Sequence, residues 1–108
     1  MKTVHNKLIR DKIPEIIKNN GDVCKTRILN EVEYKKELLS KIAEESKEVQ
    51  ETKGDKKELV KEIGDVLEIV NYLIKVFDLE KKEIENVKKE RKQARGGFDK
   101  KIFLEYTK

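Results

Sequence analysis

The sequence predicts an all-α fold of the helical-hairpin or four-helix-bundle type, with a short N-terminal helix. The chain has 108 residues, 44% of them charged, and a single proline. A composition rich in Lys, Glu, Leu and Ile favours long helices. Apolar residues also recur with the helical period along two long stretches, which indicates a folded chain despite the high charge. The length suits one domain over residues 1–108.

The N-terminal helix is expected around Pro14, because proline is tolerated in a first helical turn and Asp11 can cap that turn. Gly21 follows an asparagine pair and is typical of a helix end. The next segment carries valine, threonine and isoleucine in loose alternation, which predicts a short strand over Val23–Leu29.

Two long helices are predicted next, as an antiparallel hairpin. Asn30 and Glu33 have the spacing of a capping box, which predicts a helix over Glu31–Thr52. A short turn follows, and Asp55 can cap a second helix over Lys56–Phe77. The second helix is apolar over a wide arc, which predicts that it is the central and most buried helix.

A last helix is predicted over Glu80–Ala94, with Gly96 and Gly97 ending it. The tail contains Ile102-Phe103-Leu104, a candidate strand. Pairing of this strand with Val23–Leu29 would add a small two-stranded extended appendage to the helices.

Four acids stand out against the apolar pattern of the two long helices. Glu45 interrupts the apolar stripe of the first, and Glu62 interrupts that of the second. Glu48 and Asp65 each follow three residues later, so each pair projects from one side of its helix. Buried carboxylates are normally paired, protonated or bound to a metal. Two facing pairs would form an all-oxygen site suited to Mg²⁺ or Mn²⁺.

The alternative is that these acids form solvated ion pairs, which are ordinary in a chain with 22 acidic residues. Gly64 is a second unusual feature beside Asp65, because glycine inside a helix costs about 1 kcal/mol. Its presence predicts that a Cβ there would crowd a ligand or a neighbouring helix.

The composition also excludes several classes of protein. His5 is the only histidine and Cys24 the only cysteine, so Ser–His or Cys–His catalysis and zinc sites lack their residues. There is no secretory signal and no apolar run near the ~20 residues of a membrane span, so a cytoplasmic protein without a membrane partner is expected. The net charge of +4 is spread among acids, which makes nucleic acid an unlikely partner. The modest core favours a homodimer or larger homo-oligomer.

Several basic and polar residues are candidates for binding a substrate. Lys92 and Arg95 end the last helix, where they either grip phosphates or complement the helix dipole in solvent. A second set of candidate phosphate ligands lies near the N-terminus and comprises Lys7, Arg10 and Lys12. Asn71 could hydrogen-bond a base or sugar.

The spacing of these acids resembles the signature of a known protein family. Glu44-Glu45-x-x-Glu48, followed by Glu62-x-x-Asp65, resembles the EExxE…ExxD signature of the all-α nucleotide pyrophosphohydrolases, the MazG-like superfamily. The opening 6–14 segment, NKLIRDKIP, resembles the phosphoribosyl-ATP pyrophosphohydrolase-like branch, and so does the closing 95–104 segment, RGGFDKKIFL. The resemblance covers nearly the whole chain.

This resemblance implies Mg²⁺-dependent hydrolysis of a nucleoside triphosphate or related nucleotide at the α–β phosphoanhydride, with release of pyrophosphate. It implies that Glu45, Glu48, Glu62 and Asp65 are metal ligands and that Glu44 directs or deprotonates the attacking water. Glu44 and Glu45 are therefore the candidate catalytic acids, and the choice of base between the acids is open. Such proteins assemble helical hairpins into four-helix bundles, often as dimers or tetramers.

The substrate is open between a non-standard triphosphate, in nucleotide-pool cleansing, and a phosphoribosyl-ATP-like nucleotide. Two other functions remain as alternatives. One is a non-catalytic helical adaptor whose acids form ion pairs between helices. The other is a small basic regulator that binds nucleic acid.

Overall fold

The computed structural model describes all residues from Met1 to Lys108 and contains four helices and no strand. The helices are α1 (Ile13–Asn19), α2 (Glu31–Glu51), α3 (Lys56–Val76) and α4 (Lys81–Arg95). The predicted all-α hairpin fold is confirmed, because α2 and α3 pack against each other. None of the helices combines the length and apolar character needed to cross a membrane.

Two compact units make up the chain, Met1–Asp78 with α1 to α3 and Leu79–Lys108 with α4. The expectation of one domain over residues 1–108 stays a prediction. In the second unit, α4 ends at Gly96, whose φ of +82° is favourable only for glycine. Ile84 is the one half-buried residue of α4, and the tail after it is exposed.

The start of α2 is fixed by the predicted capping box. The Glu33 N–H donates to Asn30 Oδ1 at 2.9 Å, and the Asn30 N–H donates to Glu33 Oε1 at 3.4 Å. Arg27 adds two hydrogen bonds to the Glu33 carboxylate, at 3.2 and 2.8 Å. The loop before α2 is therefore tied to the first turn of the helix, which sets where the helix begins.

A four-residue turn, Thr52 to Asp55, reverses the chain between the long helices. The Thr52 hydroxyl donates to the Val49 carbonyl at 2.7 Å and closes the end of α2. Lys53 and Gly54 then take positive φ values of +53° and +86°. Asp55 accepts a hydrogen bond from the Glu58 N–H at 3.1 Å and caps α3, as predicted. Because the turn is short, α2 and α3 run antiparallel.

The core of the hairpin is small. Leu38 of α2 is the only buried apolar residue, at 2% exposure. No residue of α3 is buried, so the prediction that this helix is the central and most buried one is wrong within a single chain. The physical reason is that α3 has one long helical neighbour in this chain, which can cover only one of its faces.

A second apolar face of the hairpin is left exposed. We call it the outer face; its clearest members are Val32 and Leu39 of α2 and Val60, Ile63 and Leu67 of α3. The three α3 residues follow the spacing i, i+3, i+7, which aligns them along one side of the helix. Val60 is 73% exposed and Leu67 is 59% exposed. The hairpin therefore has more apolar surface than its own residues bury.

The two predicted strands are wrong. Neither Val23–Leu29 nor the tail at 102–104 has regular secondary structure, and Val23 and Ile28 are each 97% exposed. A β-rich local composition does not form a strand without a partner strand and a covered face, and a two-stranded ladder alone is marginal in water. The predicted extended appendage is therefore absent.

The expectation that a Cβ at Gly64 would crowd a neighbouring helix is corrected for this chain, and crowding of a ligand stays a prediction. A Cβ added to this helical glycine would have no atom within 4 Å. Crowding by another helix of the same chain is thus excluded as the reason for a glycine at this position.

Candidate metal centre

Two pairs of acids meet across the α2–α3 hairpin. Glu45 and Glu48 come from α2, and Glu62 and Asp65 come from α3. One carboxylate oxygen of each lies within 4.8 Å of those of the other three. The turn between the helices brings acids that precede it beside acids that follow it. We call these four residues the acid cluster; they are the ones that the sequence singled out as metal ligands.

Glu45 is the most enclosed member of the acid cluster. It is 8% exposed and is the only buried charged residue. Its Oε1 lies 3.7 Å from Lys41 Nζ. Its Oε2 has no hydrogen-bond partner, and the same is true of the buried Oε2 of Glu62. A carboxylate oxygen that has lost water and gained no donor is unfavourable, so a donor or a cation at either oxygen would be stabilising.

The surroundings of the acid cluster disfavour its ionised form. Burial raises the pKa of Glu45 above its ordinary value, and the adjacent Glu48 raises it further. Desolvation and Glu48, in that order, also raise the pKa of Glu62. Carboxylates this close together repel one another when all are ionised. A cation among them would offset the repulsion and supply the missing partner.

The donor set fits a hard divalent cation. All four ligand atoms are carboxylate oxygens, which Mg²⁺ and Mn²⁺ prefer over nitrogen or sulfur. Two of the acids also present a buried oxygen without a partner. The residues of the acid cluster therefore fit the ion that the sequence predicts.

Glu44 lies outside the acid cluster and is paired with two lysines. Lys7 Nζ and Lys41 Nζ each lie 3.3 Å from Glu44 Oε1. Partial burial raises the pKa of Glu44, but the hydrogen bonds from Lys41 and Lys7 outweigh it and leave the pKa below its ordinary value. Glu44 is thus an ionised carboxylate beside Glu45 at neutral pH.

The N-terminal segment lies against the acids of the hairpin. Arg10 Nη2 is 3.0 Å from Asp65 Oδ1 and 2.6 Å from Glu68 Oε1. Lys7 reaches Glu44, as described above, whereas Lys12 forms no ion pair. Two of the predicted phosphate ligands, Lys7 and Arg10, are therefore at the edge of the acid cluster, and both are engaged with carboxylates.

Two residues of this site escaped the sequence analysis. Lys41 pairs with Glu44 and Glu45, and its signal is the i, i+3 and i, i+4 spacing of these residues. Glu68 binds Arg10, and its signal is the continuation of the Glu62 and Asp65 spacing by three more residues. Both signals are common on charged helices, and neither identifies the partner in space.

The other predicted substrate ligands are Asn71, Lys92 and Arg95, and all three are exposed. Asn71 is exposed on α3. At about 100° per residue, it lies about 180° around the helix axis from Glu62. Lys92 and Arg95 are exposed in the last turn of α4, in the second unit. The roles predicted for these three residues stay predictions.

An open depression adjoins the acid cluster at the turn end of the hairpin. Its lining residues are Glu48, Glu51, Thr52, Glu58 and Glu62. Since acids supply nearly all of this lining, the depression repels an anionic ligand unless a cation is present. A phosphate group could be held here only together with positive charge.

Comparison of the chain with models of protein families, with curated proteins and with solved structures found no match. The resemblance to MazG-like enzymes therefore rests on the motifs quoted above. The case for a metal centre rests on the geometry of the acid cluster.

Proposed function

We propose that the chain is a metal-dependent nucleotide pyrophosphohydrolase. The proposed reaction adds one water across the α–β phosphoanhydride of a nucleotide and yields pyrophosphate and the corresponding monophosphate. The proposed substrate class covers non-standard nucleoside triphosphates and phosphoribosyl-ATP-like nucleotides. The observation that carries this proposal is the convergence of four carboxylates within 4.8 Å, two of which have a buried oxygen without a partner.

In this proposal the acid cluster holds Mg²⁺, with Mn²⁺ as the alternative ion. A bound ion supplies positive charge for the phosphates and lowers the pKa of a water ligand. The contribution of the chain is to bring the four carboxylates together before the ion arrives. Because the packing of α2 on α3 already sets their separation, little reorganisation is left for binding.

Glu44 is proposed to orient the attacking water and to receive its proton. Its carboxylate stays ionised because Lys41 and Lys7 lie on it, and an ionised carboxylate accepts a hydrogen bond from water. Glu45, its neighbour in sequence, is the other candidate for the proton acceptor. As a proposed ligand of the cation, Glu45 would be the weaker base, because the positive charge of the ion disfavours protonation of its carboxylate, and this favours Glu44.

The basic residues are proposed to bind the phosphates. The depression beside the acid cluster is acidic, so phosphate binding needs cations beyond the metal ion. Arg10 and Lys7 are already at the edge of the cluster. Lys92 and Arg95 are the second candidate set, and Asn71 remains the candidate for the base or sugar.

The proposal is tested by measuring pyrophosphate release from a panel of nucleotides with Mg²⁺, with Mn²⁺ and without metal. We expect metal-dependent release by the natural chain and a loss of more than about a hundredfold in Glu62→Gln, since even outer partners of a metal site contribute about 10- to 100-fold. Glu31→Gln is the matched control, because Glu31 is an exposed acid in the first turn of the same hairpin.

Thermal unfolding with and without Mg²⁺ provides an independent measurement. Binding to the folded state at about 100 times the Kd stabilises by about 2.7 kcal/mol. Absence of both pyrophosphate release and a metal-induced shift would refute the proposal and favour the non-catalytic adaptor.

We also infer that the chain functions as a homo-oligomer, with a dimer as the smallest unit. Leu38 is the only buried apolar residue, while the outer face leaves five apolar side chains at least 42% exposed. The outer face is shared by both long helices, so a second hairpin can pack on it and complete a four-helix bundle. A second copy of the chain is the proposed occupant, because it presents the same apolar face.

Sedimentation velocity of the natural chain tests this inference. A species of at least twice the chain mass of 12.7 kDa is expected at micromolar concentration, and a monomer with native helicity would refute it. We place the proposed reaction in the cytoplasm, where nucleotides are available and a single free cysteine such as Cys24 is ordinary.

A further inference from the structure

Arg10 is shared between an acid inside the proposed metal site and an acid outside it. Its Nη2 lies 3.0 Å from Oδ1 of Asp65, a member of the acid cluster. The same nitrogen lies 2.6 Å from Oε1 of Glu68, one helical turn further along α3. Arg10 can therefore leave Asp65 without losing an ionic partner.

The backbone of Arg10 is held in place, and its side chain is largely exposed. Leu8 and Ile9, directly before it, are half-buried in a segment whose first seven residues are exposed. The Arg10 carbonyl accepts a hydrogen bond from the Ile13 N–H at 3.1 Å, which ties it to the start of α1. The Arg10 side chain itself is 57% exposed. The guanidinium is thus exposed at the rim of the acid cluster, on a backbone that is held in place.

We propose that Arg10 competes with the divalent cation for Asp65 and that Glu68 then retains it next to the substrate phosphates, which it binds. This inference rests on the proposed function. In the metal-free protein Arg10 partly neutralises the acid cluster. A cation held by Asp65 would repel the guanidinium. Arg10 would then keep Glu68 as its partner and turn its remaining N–H groups to an anionic phosphate.

The expected order of binding follows from the charges. Without a metal ion the depression beside the cluster is acidic, and Arg10 is occupied by two carboxylates. Once a cation neutralises Asp65, both the ion and the released guanidinium favour a phosphate group. Arg10 therefore couples the two events so that metal binding precedes phosphate binding.

The test measures Mn²⁺ binding by titration calorimetry in the absence of nucleotide. Arg10→Gln is expected to bind Mn²⁺ about two- to fivefold more tightly, the size expected for an exposed ion pair. Glu68→Gln is expected to bind Mn²⁺ more weakly, because Arg10 is left with Asp65 as its only acid. Lys25→Gln, which removes a charge from an exposed residue without an ion pair, is the control and should leave the affinity unchanged.

Inorganic pyrophosphate with saturating Mn²⁺ is the second probe. Arg10→Gln should weaken its binding by about tenfold, because a charge-assisted hydrogen bond is lost. In the double variant Arg10→Gln, Glu68→Gln, the effect of the Glu68 change on Mn²⁺ binding should largely disappear, which would show that it acts through Arg10.

Opposite signs for the two probes distinguish competition from a merely structural role. Equal or weaker Mn²⁺ binding by Arg10→Gln, with Mn²⁺ binding by the natural chain intact, would overturn this inference and leave the proposed function standing. Absence of Mn²⁺ binding by the natural chain would instead refute the proposed function itself.

Discussion

Two sides of α3 depart from the usual pattern of a surface helix, in which apolar residues face the core and charged residues face solvent. One side carries Glu62 and Asp65, acids set where the helix packs against α2. The other carries the α3 part of the outer face, apolar residues left exposed. At about 100° per residue, each of these apolar residues lies at least about 140° around the axis from Asp65. We propose that a cation binds on the first side and that a second chain packs on the other, so each irregularity has its own proposed partner.

The largest effect is expected from a substitution on the apolar side of α3. Leu67→Glu places a charge in the centre of the outer face, where burial of an unpaired carboxylate is strongly unfavourable. We expect self-association to weaken by more than about a hundredfold, on the order of 3 kcal/mol. Sedimentation equilibrium measures the change.

Lys57→Glu is the control for Leu67→Glu, because Lys57 is exposed on the same helix outside the outer face. An unchanged association constant in Leu67→Glu would show that a second chain does not cover the outer face.

Glu45→Leu tests the acid side, because Glu45 of α2 lies beside Glu62 and Asp65 of α3 in the acid cluster. Leucine would continue the apolar stripe of α2 around Leu38, and it would remove a buried carboxylate with an unpartnered oxygen. The metal-free protein should gain about 1–2 kcal/mol in the free energy of unfolding, and the stabilisation by Mg²⁺ should be lost. Lys41 keeps Glu44 as its partner.

Urea denaturation with and without Mg²⁺ measures both effects of Glu45→Leu. Glu31→Leu is the control, since its side chain stays in solvent at the start of α2. A destabilised metal-free Glu45→Leu protein would mean that Glu45 is satisfied by its ion pair alone.

Gly64→Ala is expected to have a smaller effect on stability, and the effect should differ between a monomeric variant and the natural chain. Because a Cβ at this position meets no atom of its own chain, Gly64→Ala should stabilise a monomeric Leu67→Glu background by about 1 kcal/mol through helix propensity. In the natural chain the gain should be smaller, since Gly64 lies beside the outer face. Equal gains in both backgrounds, measured by thermal unfolding, would place Gly64 outside any interface.

The smallest expected effect is on the pH dependence of stability. Glu45 and Glu62 have raised pKa values, so the folded metal-free protein binds protons more readily than the unfolded chain. Their contribution therefore favours folding as the pH falls from 7, is complete below the ordinary glutamate value of 4.5, and is lost as the pH rises through the raised pKa values.

Urea midpoints at pH 7, 6 and 5 measure this slope. Saturating Mg²⁺ should reverse it, because protons then compete with the ion for the same oxygens. Glu45→Leu should flatten the metal-free slope, and a slope that is the same in this variant would assign the effect to other groups.

The parts of the fold that could be predicted are those fixed by neighbours in sequence. Asn30 with Glu33, and Asp55 with the start of α3, act within one helical turn, so their residue types alone indicate where the helices begin. The strand at Val23–Leu29 failed for the complementary reason. A strand needs a partner and a covered face, which are properties of distant parts of the chain.

The candidate site, like the fold, could be predicted only where residues close in sequence determine it. Glu45 and Glu62 could be found because they interrupt a periodic apolar pattern. The short turn predicts that the two acid pairs face each other. The ion pair of Arg10 with Asp65 joins residues 55 apart in the sequence, and no local pattern encodes that contact. The exposure of the outer face was equally hidden, since apolar periodicity does not tell which neighbour covers a helix.

The short turn at Thr52 to Asp55 also limits how the length of this chain can change. One residue inserted into α3 before Glu62 would rotate that side chain by about 100° and advance it by about 1.5 Å, out of register with α2. Seven residues would return it to within about 20° of its present direction, provided that α2 grew by the same amount. Insertions between the two acid pairs therefore keep the acids facing each other only if they add about seven residues to each helix. The loops outside the hairpin carry no such restriction.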